Sequence, residues 1–177
     1  IPLVVTPEDE GIQDSTPILE IFEGRFPDPS THPDEPEARF LSLLLEEFGD
    51  EWGNKWMFHL RWSRPEDCLS AGGRIAASMV AAGDEEARIT VREKVIERMR
   101  GRVGFVGSND ETAPQIEQSF RDALGRLDKH LAERPYLFGG RPCFADFGLF
   151  GQIYEAWTDP TGGAWVERSA PRVLDWV

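Results

Sequence analysis

Four prolines within thirteen residues, Pro27, Pro29, Pro33 and Pro36 between Gly24 and Pro36, divide this chain. Each proline fixes φ and removes a backbone donor, so no regular helix crosses the segment. A stiff, mostly extended linker is expected, with His32 a solvated residue within it. The linker separates a short N-terminal part with strand and turn signals from a long part with helical periodicity. The expected organisation is therefore residues 1–23, a linker 24–36, and a helical part 37–177. The fold class is mainly α.

In the helical part, Leu41, Leu44, Leu45, Phe48, Trp52 and Trp56 fall at steps of three and four. They predict one apolar stripe on a long helix from Glu37 to about Ser63. Gly49 and Gly53 weaken its middle and permit a bend. Pro65 ends this helix or opens the next. The small residues from Leu69 to Ala82 then suit close helix packing. Asp84, Glu85 and Glu86 open a further helix to about Arg100, with acids at its start and Arg98 and Arg100 at its end, as the dipole prefers. Residues 101–109 read as a loop.

Ile116, Phe120, Leu124, Leu127 and Leu131 then predict a buried stripe, from which His130 falls off toward solvent. Phe147, Phe150, Ile153, Tyr154 and Trp157 make the helix that starts near Cys143 apolar over much of its surface. Residues 159–163 read as a loop, followed by short helices around Ala164 to Arg168 and from Pro171.

Ahead of the linker, Ile1 to Thr6 reads as a β-branched strand entered through Pro2, and Pro7 to Gly11 as an acidic turn. A second short strand leads into a helix start at Asp14, Ser15 and Thr16, with Pro17 in the first turn, where its missing N–H is no loss. A helix start presents unpaired N–H groups and a positive dipole end, so Ser15 and its neighbouring amides can hold a small carboxylate. Asp14 beside it can hold an ammonium. The pair suits a free amino-acid head group, and it equally suits an ordinary N-cap. Both readings stay open at this point.

Proline, strand, turn, strand and helix start in this order resemble the second half of the thioredoxin-like domain of glutathione transferases. The resemblance implies a cis peptide at Pro2, an Ile1 backbone that pairs with the cysteinyl part of glutathione, and Asp14 and Ser15 gripping its γ-glutamyl end. A second segment, Leu137-Phe138-Gly139-Gly140-Arg141-Pro142-Cys143-Phe144-Ala145-Asp146, resembles the family's entry into the central helix of its all-α domain. There Asp146 takes the place of the reciprocal capping carboxylate, accepting the backbone N–H of Cys143. Cys143 stands where the family has Ser or Thr, and a thiol is a weaker partner than a hydroxyl. Both residues are then structural caps. The implied fold is an all-α glutathione-transferase C-terminal helical domain preceded by the β-β-α end of a thioredoxin-like domain.

The resemblance implies a transferase that conjugates glutathione, as co-substrate, to a small apolar electrophile. A free thiol with a pKa near about 8.5 is mostly protonated at neutral pH, so a hydroxyl or thiol near the end of the family's first strand is needed to stabilise the thiolate. The chain opens inside a strand and closes on an unfinished amphipathic pattern, Arg172 to Val177, so both ends are expected to continue. The catalytic residue is therefore unknown from these residues. A Cys at that position would favour glutathione-dependent disulfide reduction. A non-catalytic interaction module on the same fold is the competing reading.

Trp52, Trp56 and His59 are candidates for the electrophile pocket, with core packing the alternative for each and a satisfied buried histidine the alternative for His59. The net charge of −13 disfavours nucleic acid and anionic membrane surfaces. No apolar run reaches the about 20 residues needed to span a bilayer. Cys68 and Cys143 lack metal or redox spacing, so no metal is expected and reduced thiols in the cytoplasm are. The family's habit of pairing subunits implies a homodimer.

Overall fold

The computed structural model describes residues 2–177. Two short strands, β1 (Leu3–Val5) and β2 (Gly11–Gln13), pair antiparallel with Leu3 opposite Gln13 and Val5 opposite Gly11. Helix α1 (Ser15–Arg25) follows at once. It buries none of its side chains fully.

Beyond the prolines come α2 (Pro36–Glu47), α3 (Asn54–Ser63), α4 (Pro65–Met79), α5 (Glu85–Arg100), α6 (Ala113–His130), α7 (Phe144–Trp157), α8 (Pro160–Ser169) and α9 (Pro171–Trp176). This is the helical domain expected, with the two-stranded sheet at its N-terminus.

The long helix expected from 37 to 63 is present as α2 and α3 joined by a π-helical turn, Phe48–Gly53. Helix α7 sets its position. A Cβ on Gly49 would lie 2.6 Å from the Gly148 carbonyl carbon, and one on Gly148 would lie 2.7 Å from the Glu46 oxygen. Two glycines facing each other allow the backbones of α2 and α7 to touch. The stripe on α2 divides accordingly: Trp56 is buried, whereas Leu41, Leu44 and Phe48 remain exposed.

The core lies between α3, α6, α7, α8 and α9. The α6 stripe of Ile116, Phe120, Leu124 and Leu127, with Leu131 beyond its end, is buried against Trp56, Leu60, Ile153 and Val166. His130 is exposed, and its Nε2 donates to the Leu137 carbonyl at 2.7 Å. Within residues 101–109, Val103–Val106 forms one 3-10 turn.

Two local expectations are corrected. His32 is buried, 7% exposed, with its ring stacked on Phe144 at 4.2 Å between centroids. The linker folds back on α7, where Phe144 N–H donates to the Thr31 carbonyl, and burial followed by the Arg39 charge lowers the pKa of His32. Helix α8 begins at Pro160 rather than Ala164. Buried Asp67 accepts Thr161 N–H at 2.8 Å and its hydroxyl at 2.6 Å, so the first turn is capped from α4.

Asp146 performs the reciprocal capping expected of it. One oxygen accepts Cys143 N–H at 2.9 Å and contacts the Cys143 thiol at 3.1 Å. The other accepts Leu137 N–H and the Trp176 indole N–H, both at 3.0 Å. The hydroxyl that Cys143 cannot supply comes from α2: Ser42 accepts Ala145 N–H at 3.2 Å and donates to the Cys143 sulfur at 3.3 Å. Burial pushes the thiols of Cys68 and Cys143 up from the usual range.

Candidate functional site

The hairpin places Pro2 and Asp14 side by side, because Asp14 N–H donates to the Pro2 carbonyl at 3.0 Å. Ile1, and with it the Ile1–Pro2 peptide bond, lies outside the described residues. Asp14 has φ +82, a conformation that costs a residue with a side chain about 1–3 kcal/mol unless its surroundings hold it there. Here the hairpin fixes its N–H, and its own side chain accepts Ser15 N–H at 2.8 Å. The Ser15 hydroxyl lies 3.5 Å from the same oxygen.

The second Asp14 oxygen and the Thr16 N–H have no hydrogen-bond partner among the described residues, and Asp14 is exposed. The start of α1 therefore gathers one free carboxylate oxygen, one hydroxyl and one free amide within three residues, Asp14 exposed and Ser15 and Thr16 half-buried. Its dipole adds positive potential along the axis.

Helix α2 and the π-helical turn bring two further carboxylates to this end of α1. The Thr16 hydroxyl donates to buried Glu46 at 2.7 Å. Burial raises the pKa of Glu46, against the Thr16 bond and with help from Asp50 and Glu47. Asp50 is raised by its own burial, then by the charges of Asp14 and Glu51. Residues 1–60 as a whole carry fourteen carboxylates against three Lys and Arg. Glu46 and Asp50 stood on an amphipathic helix with no motif around them. Their spacing of four, with the acidic run beside them, was the available signal.

Trp52 and Trp56 share the wall of a second feature, an apolar cavity of about 530 Å³ between α2, α6 and α7. His59 takes no part in it. It is 3% exposed, with Nδ1 2.7 Å from the Ser108 hydroxyl and 3.0 Å from that of Ser63, and Nε2 3.4 Å from Glu117. Burial lowers its pKa, opposed by Glu117. Glu117 also accepts hydrogen bonds from Arg64 and Arg121. His59 is thus a satisfied buried histidine that joins α3 to α6. Among the described residues, none of 2–36 lines the cavity.

Residues 93–177, from the middle of α5 to the end of the chain, match the family model described as Glutathione S-transferase, C-terminal domain. That stretch is similar to the helical domain of glutathione transferases. No curated protein matches the chain. The matched stretch contains Cys143, Asp146 and the whole of α7, the structural half of the sequence resemblance, while the start of α1 lies outside it. Among the described residues no group of three His, Cys, Asp or Glu is placed to hold a metal ion, and no helix is long and apolar enough to cross a membrane.

Proposed function

We propose that this protein binds glutathione at the start of α1 and conjugates it to an apolar electrophile. The observation that carries the reading is the triplet of exposed Asp14 carboxylate, half-buried Ser15 hydroxyl and Thr16 amide at one helix terminus. The γ-glutamyl end of the tripeptide carries an ammonium and a carboxylate on one carbon. Asp14, with Asp50 behind it, suits the ammonium. Ser15 and Thr16, at the positive end of the dipole, suit the carboxylate. Pro2, whose carbonyl accepts Asp14 N–H in the hairpin, and Ile1 before it are assigned to the cysteinyl backbone. The group that activates sulfur is not assigned to any residue of this chain.

A homodimer is part of the proposal. Phe40, Leu41, Leu44 and Phe48 form an exposed apolar strip along α2 and its π-helical continuation, which a second copy can cover. A cytoplasmic setting is supported by the two buried free cysteines. Trp52 and Trp56 are proposed as the aromatic wall met by an apolar co-substrate.

The test is calorimetric titration with glutathione. Ser15→Ala weakens binding by about 1.5–3 kcal/mol, the range for a hydrogen bond to a charged group. Asp14→Asn keeps the cap geometry and removes the charge opposite the ammonium, so it weakens glutathione more than a des-amino analogue. Unchanged affinity in both variants overturns the site. Retention on immobilised glutathione with no conjugation of a halonitrobenzene assigns the chain to the interaction-module reading instead.

A further inference from the structure

Helix α5 and the turn after it take no part in the proposed glutathione site. Residues 88–107 carry six Lys and Arg against two Glu, a net +4 in a chain of −13, so the other residues together carry −17. Helix α5 buries none of its side chains fully. One side of it, Val95, Ile96 and Met99, packs with Val103 on the cluster of Trp62, Cys68 and Ala71.

A second side is cationic. Lys94, Arg98, Arg102 and Phe105 recur at steps of four, four and three, and all four are exposed. Arg102 N–H donates to the Met99 carbonyl and Phe105 N–H to that of Arg102, so the turn carries this side past the end of α5. Successive cations lie about 6 Å apart along the axis, a row of about 12 Å. Among the described residues the one ion pair on α5 joins Arg88 to Glu85, which leaves these three unpaired. Glu93 and Glu97 fall on a third side with Arg100, at a shallow surface depression.

Phe105 is 84% exposed, more than any other large apolar residue described. Its neighbours are fixed. Val103 sits on the cluster before it, and the Ser108 hydroxyl lies 2.7 Å from His59 Nδ1 after it. Gly107, at φ +76, closes the turn, and its carbonyl accepts the Thr112 hydroxyl at 2.7 Å. Phe105 is thus held outward by ordered groups on both sides. An aromatic already in place beside arginines is the composition of an interface anchor, and it loses little freedom when a partner covers it.

Reach decides the occupant. Charges act over about 8 Å at physiological ionic strength. A bilayer surface or a long nucleic-acid strand extends well past the row and comes up against the acidic remainder of the molecule. A short acidic segment meets the row alone. In an extended chain alternate side chains lie about 6.6 Å apart on one side, which matches the spacing of the cations.

We propose that this side of α5 and its turn is a docking face for an extended acidic segment of a partner protein. Three carboxylates at alternate positions meet Lys94, Arg98 and Arg102, and an apolar residue at one end covers Phe105.

The test is fluorescence anisotropy of a labelled peptide in which glutamate alternates with serine three times and leucine follows. Saturable binding of one peptide per chain is expected, weakening as salt is raised from about 50 to 500 mM. The same peptide with glutamine in place of glutamate does not bind. Arg98→Gln with Arg102→Gln weakens the glutamate peptide by about fivefold or more. Phe105→Ser weakens it by about fivefold, and has no effect on a peptide ending in glycine. Urea unfolding run alongside shows that these exposed changes leave the fold intact. Ser15→Ala leaves the titration as it was, which separates this face from the glutathione site. No saturation by about 1 mM peptide, or unchanged affinity in either variant, overturns the proposal. Tighter binding of phosphatidylserine vesicles or of a thymidine oligonucleotide also overturns it and gives the face to a membrane or a nucleic acid. Self-association that the two arginine changes abolish overturns it in favour of a second copy.

Discussion

Gly148→Ala and Gly151→Ala place the same methyl group on the same helix, three residues apart, and should change stability in opposite directions. At Gly148 the new Cβ lies 2.7 Å from the Glu46 oxygen and 2.8 Å from its Cα, both backbone atoms that no rotamer change can move. Ordinary contact needs several tenths of an ångström more, so α2 and α7 must separate. Overpacking of this kind costs about 1–3 kcal/mol, and rigid backbone on the other side puts it at the upper end. Replacing a helical glycine by alanine returns about 1 kcal/mol. The net loss at Gly148 is about 2 kcal/mol.

At Gly151 nothing lies within 4 Å of the added Cβ, so the propensity gain stands alone at about 0.5–1 kcal/mol. Urea unfolding checks this, with midpoints shifting apart and slopes unchanged. In melting experiments a chain of this length moves by about 2–4 °C per kcal/mol, so Gly148→Ala falls by about 4–8 °C and Gly151→Ala rises by about 1–4 °C. Gly49→Ala meets the same gap from the α2 side, so the double change Gly49→Ala with Gly148→Ala costs less than the sum of the two. Equal effects at positions 148 and 151, or strict additivity of 49 and 148, would refute the claim that backbone contact holds this crossing.

Asp146→Ala leaves the N–H groups of Leu137, Cys143 and Trp176 without their acceptor and is expected to cost about 3–5 kcal/mol, with a red shift in emission as Trp176 loosens. Retention of wild-type stability would remove its capping role. Glu23 is pushed up by burial, but hydrogen bonds from Ser30 and Thr31 outweigh that and hold its pKa at about 2, below the usual 4.5. A depressed carboxylate stabilises the fold above its unfolded pKa and loses that contribution as pH falls through the folded value. Glu23→Gln should therefore cost about 1–2 kcal/mol at pH 7, after a discount for solvent screening, and the gap to wild type should close between about pH 4.5 and 2. A gap that persists unchanged at pH 3 would contradict the assignment.

The α6 helix was legible because its burial depends on a single stripe, and Phe120 and Leu124 have the same neighbours in any packing that covers that stripe. Asp14 and Asp146 were legible because capping is local chemistry, settled within three residues. Ser42 was not, because its bond to Cys143 joins positions 101 apart and depends on how α2 crosses α7. His32 failed for the same reason: a histidine among prolines has no local cause to be buried, and Phe144 supplies one only after the linker has folded back. On α2 the periodicity marks one apolar stripe, yet periodicity does not say what covers that face. The Gly49–Gly148 contact buries the turn beside Trp56 and leaves Leu41 and Leu44 uncovered.

The acidity of residues 1–60 bears directly on the proposed ligand, because glutathione carries two carboxylates and one ammonium. At physiological ionic strength charges beyond about 8 Å are largely screened, so the fourteen carboxylates do not act together. What a bound tripeptide meets is the local set of Asp14, Asp50 and Glu46. These lie on the side of α1 that faces α2, while the Thr16 amide and the dipole act along its axis. Burial raises the pKa of both Glu46 and Asp50. An ammonium opposes that shift, since a cation beside Asp50 favours its ionised form. In the proposed site a head group with both charges on one carbon fits best: a carboxylate alone meets Asp14, and an amine alone leaves the helix terminus unpaired.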